Sequence, residues 1–217
     1  MQSSHPQYIV VEGPIGVGKT SLAHRLAQSF GSELLLEGPE DNPFIDRFYE
    51  NPRTAALPTQ LFFLTQRVRQ MQELRQGDMF NPVRVADFLI EKDRLFAELT
   101  LDDDELRLYD QIYNNMAIEA PVPDLVIYLQ APVEVLLERI ARRNRSYERA
   151  IDSGYLQRLV DAYARFFHDY YGAPLLIVNA AEIDLVKNDH DYTSLLEQVK
   201  STPRGRHFFN PLPLELS

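Results

Sequence analysis

The feature that most constrains this sequence is the eight-residue run 13–20, which fits the pattern G-x-x-x-x-G-K-[ST] of a phosphate-binding loop. The apolar run 8–11 precedes the loop and predicts a buried strand. Residues 20–30 follow it with apolar side chains at helical spacing, and Gly31 predicts the end of that helix. The motif therefore stands in the strand–loop–helix context that such a loop requires.

The residue types of the loop indicate how it would hold a nucleoside triphosphate. Glycines let backbone N–H groups turn inward around phosphate oxygens, and the positions expected to do so are Gly13, Gly16, Val17 and Gly18. Lys19 is placed to reach the β- and γ-phosphates, and the hydroxyl of Thr20 to hold Mg²⁺. A glycine-rich turn with a helix-capping threonine is the alternative interpretation. We expect the loop to bind ATP together with Mg²⁺.

The rest of the chain alternates between predicted strands and helices. Apolar runs predict further strands at 34–36, 83–86, 125–129 and 175–178, and helices are predicted over 60–76, from 102–105 onward and over 132–142. This order predicts one domain over 1–217, a P-loop NTPase-type α/β fold with a five-stranded parallel sheet and helices on both faces. Residues 201–217 contain three prolines and are predicted to form a tail that packs by contact.

Composition and charge exclude several classes of protein. Acidic residues number 32 against 22 lysines and arginines, and a formal charge of −10 repels nucleic acids and anionic membranes. The absence of cysteine excludes disulfides and zinc–thiolate sites. Residues 1–7 do not form a signal peptide, and no apolar run reaches the length of a membrane span. We expect a cytoplasmic protein without a nucleic-acid or membrane partner.

Two further features point to phosphoryl transfer. Five of the 18 arginines fall within the 11 residues 139–149, and arginine side chains position phosphoryl oxygens, so we predict a helical, arginine-rich lid over about 139–151. A solvated basic helix paired with Glu138 and Glu148 is the alternative. Glu37 follows the second predicted strand, at the sheet edge where α/β proteins bind ligands. It could accept the proton of an attacking hydroxyl, although a loop glutamate is more often only solvated.

Several stretches between Tyr8 and Leu185 keep the spacings of one family. These are 41–44 and 47–50, then Glu37-Gly38-Pro39, then Tyr49, Glu50, Pro52, Gln60 and Arg67, and finally Arg139, Arg143, Asn144, Arg145, Glu148, Ile151, Tyr155 and Leu156. Together they resemble the deoxynucleoside kinase family, and within it the bacterial deoxyadenosine/deoxyguanosine kinases. The resemblance implies transfer of the γ-phosphoryl group of ATP to the 5′-hydroxyl of a deoxynucleoside. It also implies a homodimer.

The resemblance also assigns roles to individual side chains. It implies that Glu37 is the base that activates the 5′-hydroxyl. It places Tyr49 and Glu148 at the sugar 3′-hydroxyl, and Gln60, Arg67 and Asp93 around the base, which favours a purine over thymine because these groups suit an amino-bearing base. The lid arginines implied to hold phosphate and ATP are Arg139, Arg143 and Arg145. Lys19 and Thr20 keep the roles that the loop itself indicates.

One motif of the family departs from its pattern here. The family's D/E-R-S-x-x-x-D aligns with 87–93, where Asp87 remains to serve Mg²⁺ and Asp93 remains to serve the base pocket. The arginine that normally sits between the catalytic glutamate and the transferring phosphate has become Phe88, and the serine has become Leu89. We expect Arg143 and Arg145 to supply the missing cation. The lid glycine is replaced by Asn144, which tolerates left-handed geometry.

Two alternative functions stay open on the sequence alone. Phe88 could mark a nucleotide-binding sensor that has lost catalysis. The kinase chemistry could also act on another small alcohol or on a nucleoside monophosphate. The presence of Lys19, Glu37 and the lid arginines favours chemistry, and the set Tyr49, Gln60 and Glu148 favours a nucleoside acceptor.

Overall fold

A six-stranded parallel sheet forms the centre of the protein. The computed structural model describes residues 6–75, 83–116, 120–185, 188–202 and 204–210. The strands are β1 Tyr8–Glu12, β2 Glu33–Leu35, β3 Arg84–Ala86, β4 Leu125–Gln130, β5 Leu175–Asn179 and β6 Arg206–Phe209. Their order across the sheet is β2-β3-β1-β4-β5-β6, and every neighbouring pair is parallel.

Helices cover both faces of this sheet. They are α1 Lys19–Phe30, α2 Ile45–Glu50, α3 Pro52–Arg75, α4 Asp93–Thr100, α5 Asp103–Asn115, α6 Val133–Arg143, α7 Ser153–His168 and α8 Asp189–Ser201. Successive residues of a strand point to opposite faces, and Ile9, Val10 and Val11 of β1 are all fully buried. The predicted α/β architecture with a doubly covered parallel sheet is therefore confirmed.

The strand order places β1 in the middle of the sheet, between β3 and β4. From β1 the chain moves outward to β2, and after β3 it crosses to β4 on the other side. Parallel α/β sheets bind ligands beyond the carboxyl ends of the strands at such a reversal. The loop that follows Glu12 therefore opens into the crevice at the centre of this edge.

The prediction of five strands is wrong by one, because β6 lies within the residues predicted to form a tail. Its four residues have no strong apolar pattern, and pairing with β5 creates the strand. The Arg206 guanidinium also donates to the carbonyls of Phe167 and His168, at 2.9 and 2.8 Å, which anchors β6 to the end of α7. Residues 203 and 211–217 of the predicted tail lie outside the described residues.

Helix α3 begins eight residues before the predicted start at Gln60. Pro58 lies inside the helix, and a proline there removes one backbone hydrogen bond, which is why the sequence predicted no helix across it. Burial of Ala55 and Ala56 against α2 offsets this loss. The predicted end at 76–77 lies outside the described residues. Helices α2, α4, α7 and α8 were not predicted individually.

The acidic run at 102–105 caps a helix, which agrees with the helix predicted from these residues onward. Asp102 Oδ1 accepts hydrogen bonds from the backbone N–H groups of Asp104 and Glu105, at 3.0 and 2.9 Å, and Glu105 Oε2 accepts from Asp102 N at 3.2 Å. This reciprocal pair is a capping box at the start of α5. Within the described ranges no group of three or more His, Cys, Asp or Glu side chains could hold a metal ion.

The lengths and apolar character of the helices bear on the prediction that no segment spans a membrane. Among the residues whose structure is described, no helix is both long enough and apolar enough to span a bilayer.

Candidate active site

The phosphate loop is shaped by glycines that no other residue could replace without displacement. A Cβ at Gly13 would lie 2.5 Å from the carbonyl oxygen of Leu129, and one at Gly16 would lie 2.9 Å from Ile140 Cγ1. Both positions also have positive φ, of 147° and 87°. The loop therefore packs directly against β4 and α6. Gly18, with φ 108°, provides the left-handed residue from which α1 begins.

Some residues of the loop use their backbone N–H groups within the protein, and others border the central cavity. The N–H of Gly13 donates to Glu12 Oε2 at 3.0 Å, and the N–H of Val17 donates to the carbonyl of Pro14 at 3.2 Å. These two predicted phosphate donors are thus engaged within the protein. Gly16 and Gly18 border the central cavity described below.

Lys19 lies folded back on the loop, where its Nζ donates to the carbonyl oxygen of Gly13 at 2.7 Å. Burial, followed by the nearby charge of Lys92, lowers the pKa of this ammonium group. An ammonium group that donates to backbone carbonyls can exchange them for phosphate oxygens.

The two residues predicted to serve Mg²⁺ are in direct contact. Thr20 Oγ1 donates to Asp87 Oδ2 at 2.6 Å, and the second carboxylate oxygen of Asp87 accepts from the backbone N–H of Glu37 at 2.7 Å. A hydroxyl and a carboxylate side by side at the loop form the all-oxygen donor set that Mg²⁺ prefers, with phosphates and water completing it. The residues therefore fit this ion.

Glu37, the predicted base, is held by cations on one of its two oxygens. Oε1 accepts from Lys92 Nζ at 3.2 Å and from Arg67. Burial alone would raise the pKa of this carboxyl, but Lys92, Arg67 and Lys19 outweigh it and lower that pKa to about 2. Oε2 accepts no hydrogen bond from any residue that the structure describes. The carboxylate is thus ionised, with one oxygen fixed and the other available.

A cavity of about 370 Å³ joins the loop to the predicted nucleoside residues. Of the predicted residues it brings together Gly16, Gly18, Lys19, Thr20, Glu37, Tyr49, Gln60, Arg67, Asp87, Arg143, Arg145 and Glu148. Apolar side chains of Ile45, Phe63 and Phe96 also line it. The cavity thus combines charged groups with apolar and aromatic walls, which suits a phosphate acceptor with a flat ring.

Asp93 does not reach this cavity. Its carboxylate is fully buried, forms an ion pair with Arg67 and accepts from the hydroxyl of Tyr109 at 2.7 Å. Arg67 therefore lies between two carboxylates, Glu37 on one side and Asp93 on the other. Asp93 fixes Arg67 from behind, and of the two only Arg67 lines the cavity.

Gln60 lies on α3 with its side chain 3% exposed. Its Nε2 donates to Thr100 Oγ1 at 3.2 Å, and the Thr100 hydroxyl donates in turn to the carbonyl of Phe96 at 2.7 Å. This contact with Thr100 orients the amide at the wall of the cavity.

The lid is helical but breaks at Asn144. Helix α6 ends there with φ 49°, the left-handed geometry expected of this asparagine, and a short 3₁₀ segment, Ser146–Ala150, follows. Arg143 is bidentate to the buried Glu148, with Nε to Oε2 at 2.6 Å. Arg145 donates to the hydroxyl of Tyr147 at 2.6 Å. Among the described residues neither arginine contacts Glu37, and Arg145 also lies 3.8 Å from Glu40 Oε2.

Arg139 lies on the opposite side of the loop. Its guanidinium donates to the carbonyls of Val17 and Ala180, at 3.1 and 2.7 Å, and borders a second cavity of about 560 Å³. This cavity lies between the loop, α6 and the segment 180–185 that follows β5. Arg139 therefore links the loop to that segment, apart from the other predicted lid arginines at the central cavity.

The model of the family described as Deoxynucleoside kinase matches residues 9–202, most of the chain. The chain belongs to the deoxynucleoside kinase family. It is 36% identical over 202 residues to the deoxyguanosine kinase of Bacillus subtilis, a match covering 89% of this chain and 96% of that protein.

Two other comparisons agree. The kinase is 28% identical over 207 residues to the deoxyadenosine kinase of Lactobacillus acidophilus, which covers 89% of this chain and 94% of the relative. The solved structure of the deoxyadenosine kinase from M. mycoides with bound dATP aligns with a TM-score of 0.79 at 24% identity. The alignment covers 90% of this chain and 100% of that one. That likeness confirms the fold.

Two buried charges of this kinase were missed by the sequence analysis. Glu12 is fully buried at the end of β1, and Lys92 is 1% exposed. The only sequence signals were a glutamate directly before the loop and one of four lysines in a chain with 18 arginines, placed between Asp87 and Asp93. Neither signal says that the two side chains meet.

Proposed function

We propose that this deoxynucleoside kinase transfers the γ-phosphoryl group of ATP to the 5′-hydroxyl of a purine deoxynucleoside. The observation that carries the proposal is one cavity lined by Lys19 of the phosphate loop, by Glu37, and by Gln60 and Arg67 of α3, with Arg67 in contact with Glu37. A nucleoside whose base lies between Gln60 and Arg67 would direct its 5′-hydroxyl towards the loop. Among the described residues, no contact specifically supports the alternatives, which were a catalytically inactive sensor and a kinase of another alcohol or of a nucleoside monophosphate.

In the proposed step the 5′-oxygen forms a bond to the γ-phosphorus, and the bond from that phosphorus to the bridging oxygen of ADP breaks. The hydroxyl proton passes to Glu37 Oε2. A carboxylate with a pKa near 2 is a weak base. Phosphoryl transfer has a loose transition state in which the nucleophile keeps its proton until late, so orientation of the hydroxyl matters more than base strength.

Cations at the phosphate end would stabilise the charge that moves to the leaving group. We assign this role to Lys19, which exchanges the carbonyl of Gly13 for phosphate oxygens, and to Arg143 and Arg145 on the lid. Mg²⁺, when bound with ATP, would be held by Thr20 and Asp87 and would neutralise charge on the phosphates.

The sugar is assigned to Tyr49 and Glu148. Both border the cavity, and the rings of Tyr49 and Tyr147 stack with centroids 6.0 Å apart. Burial, followed by the nearby Tyr155 and Glu148, raises the pKa of Tyr49 well above its usual value, so its hydroxyl stays a neutral donor. A phenol donor and a carboxylate acceptor together suit one sugar hydroxyl. Arg143 holds that carboxylate in place.

The purine preference is supported by the base end and by the relatives. One N–H of the Gln60 amide is used by Thr100, which leaves the other N–H and the carbonyl oxygen for a base edge. Arg67 adds fixed donors. The similar proteins of B. subtilis and L. acidophilus are named as kinases of deoxyguanosine and deoxyadenosine.

We also propose a homodimer located in the cytoplasm, where ATP is available. Apolar side chains that stay partly exposed lie along α3 and α5, including Leu57, Leu61 and Leu106, and Leu108 is 45% exposed. This apolar strip could pair with that of a second copy.

An acceptor panel tests the function. We expect ATP-dependent turnover with deoxyadenosine and deoxyguanosine that exceeds turnover with thymidine, measured by ADP release across all nucleosides and deoxynucleosides. Greater turnover with a nucleoside monophosphate would contradict the assignment.

Glu37→Gln tests the base. The change keeps the shape and removes the proton acceptor, so kcat should fall by about 10²–10⁴-fold. The KM for the deoxynucleoside should change much less, and circular dichroism should show an unchanged fold. A rise in KM at constant kcat would make Glu37 a binding residue only.

Gln60→Leu tests the base pocket. The buried polar edge of the base would lose its partner, which costs about 1–3 kcal/mol, or about 5- to 150-fold in kcat/KM. Deoxyadenosine and deoxyguanosine should both be affected, while ATP binding to the nucleoside-free protein holds. Gln157→Leu on the exposed face of α7 is the matched control. An equal loss of ATP binding would place Gln60 in the wrong site.

Sedimentation tests the dimer. The wild-type protein should sediment at twice the mass of one chain, and Leu61→Asp should shift the population towards monomer because it places a charge in the apolar strip. A wild-type protein that sediments as a single chain would refute the homodimer.

A further inference from the structure

Lys92 is a buried cation between Glu12 and Glu37 that the proposed chemistry does not yet use. Its Nζ is 3.2 Å from Glu12 Oε1 and 3.2 Å from Glu37 Oε1. The side chain is 1% exposed and does not line the substrate cavity. Lys92 therefore contacts the proposed base directly and touches no substrate itself.

The other partner of Lys92 is a fixed anchor. Glu12 accepts from the backbone N–H of Leu89 at 2.7 Å, from that of Gly13 at 3.0 Å and from the hydroxyl of Tyr163 at 3.0 Å. These bonds hold the Glu12 carboxylate at the first residue of the phosphate loop. Because Lys92 is bonded to this carboxylate, its ammonium group has a fixed position relative to the loop.

Stability alone does not account for this arrangement. A fully buried lysine is rare even when it is paired, and buried ion pairs are often no more stable than apolar side chains of similar volume. Phe96, whose ring centroid is 5.3 Å from the Lys92 Nζ, provides an apolar neighbour that such a replacement could pack against. The role of the buried ammonium group therefore lies in its contact with Glu37.

Other candidates for a cation at Glu37 are placed elsewhere. Phe88, at the position where the family resemblance implies an arginine, is fully buried in the apolar core. Arg143 pairs with Glu148, and Arg145 pairs with Tyr147. These contacts place neither lid arginine on Glu37, so their replacement of the missing cation stays a prediction for the phosphate end of the site.

We propose that Lys92 is a positioning residue that takes over from the missing arginine. It holds Glu37 by Oε1, between itself and Arg67, so that Oε2 faces the 5′-hydroxyl of the acceptor. Glu12 fixes Lys92 to the phosphate loop and so sets the distance between the base and the phosphate. This inference rests on the proposed function of Glu37.

A double-mutant cycle with Glu37 tests the proposal. Lys92→Met keeps the length of the side chain and removes its charge, and it should lower kcat by about 10²-fold or more. The KM values for ATP and deoxynucleoside should change by less than about threefold. In a Glu37→Gln background, Lys92→Met should lower kcat by less than about threefold further, because both changes remove the same effect.

Two variants guard against a trivial loss of structure. Lys92→Met leaves the charge of Glu12 buried without this partner, so the charge-neutral double variant Glu12→Gln/Lys92→Met is measured beside it. It should melt as a folded protein and show the same low kcat. Arg206→Met is the matched control and should keep the wild-type kcat, because this cation bonds to the carbonyls of Phe167, His168 and Tyr170 and does not line the central cavity.

The outcomes distinguish a failure of the Lys92 proposal from a failure of the proposed function. Equal losses from Lys92→Met in the wild-type and Glu37→Gln backgrounds would overturn it, as would an effect on KM alone or wild-type turnover by Glu12→Gln/Lys92→Met. A wild-type protein without turnover on any deoxynucleoside would reject the proposed function itself, and with it the role of Lys92.

Discussion

A row of five alternating charges, buried beyond the carboxyl ends of the central strands, joins the parts of this protein. Glu12, Lys92, Glu37, Arg67 and Asp93 follow one another, each in contact with the next. They come from the end of β1, the segments after β3 and β2, and α3. Removing Lys92 would leave Glu12 buried without a cation, and removing Arg67 would do the same to Asp93. A buried charge without its partner is strongly destabilising. The row therefore requires all of these segments to be in place together.

The row also explains how an acidic chain can bind a polyphosphate. The formal charge of −10 disfavours anions in general. Within the row the carboxylates are matched by Lys92 and Arg67, so they do not repel a ligand at full strength. Lys19 and the lid arginines lie at the end where phosphates would enter. Local pairing, and not the total charge, sets the potential inside a buried site.

The parallel topology gives these charges their shared edge. Because β1 is central, the phosphate loop has β3 and its aspartate on one side and β4 on the other. Asp87 links the phosphate loop to the proposed base, because its carboxylate accepts hydrogen bonds from the Thr20 hydroxyl and from the backbone N–H of Glu37. The loop, the proposed metal ligands and the proposed base are thus fixed to one another through the sheet, while the lid closes the cavity from α6.

The sequence by itself determined the features that depend on neighbouring residues. The phosphate loop, the apolar strands and the acidic cap of α5 could be predicted because each is encoded within a few consecutive positions. Spacings shared with the family placed Tyr49 and Gln60 at the cavity. Only the tertiary structure decided that Lys92 meets Glu37, 55 residues away, and that Leu89 bonds to Glu12, 77 residues away. Strand β6 likewise exists because β5 pairs with it. Such contacts depend on how the strands are ordered across the sheet, and no local pattern records that order.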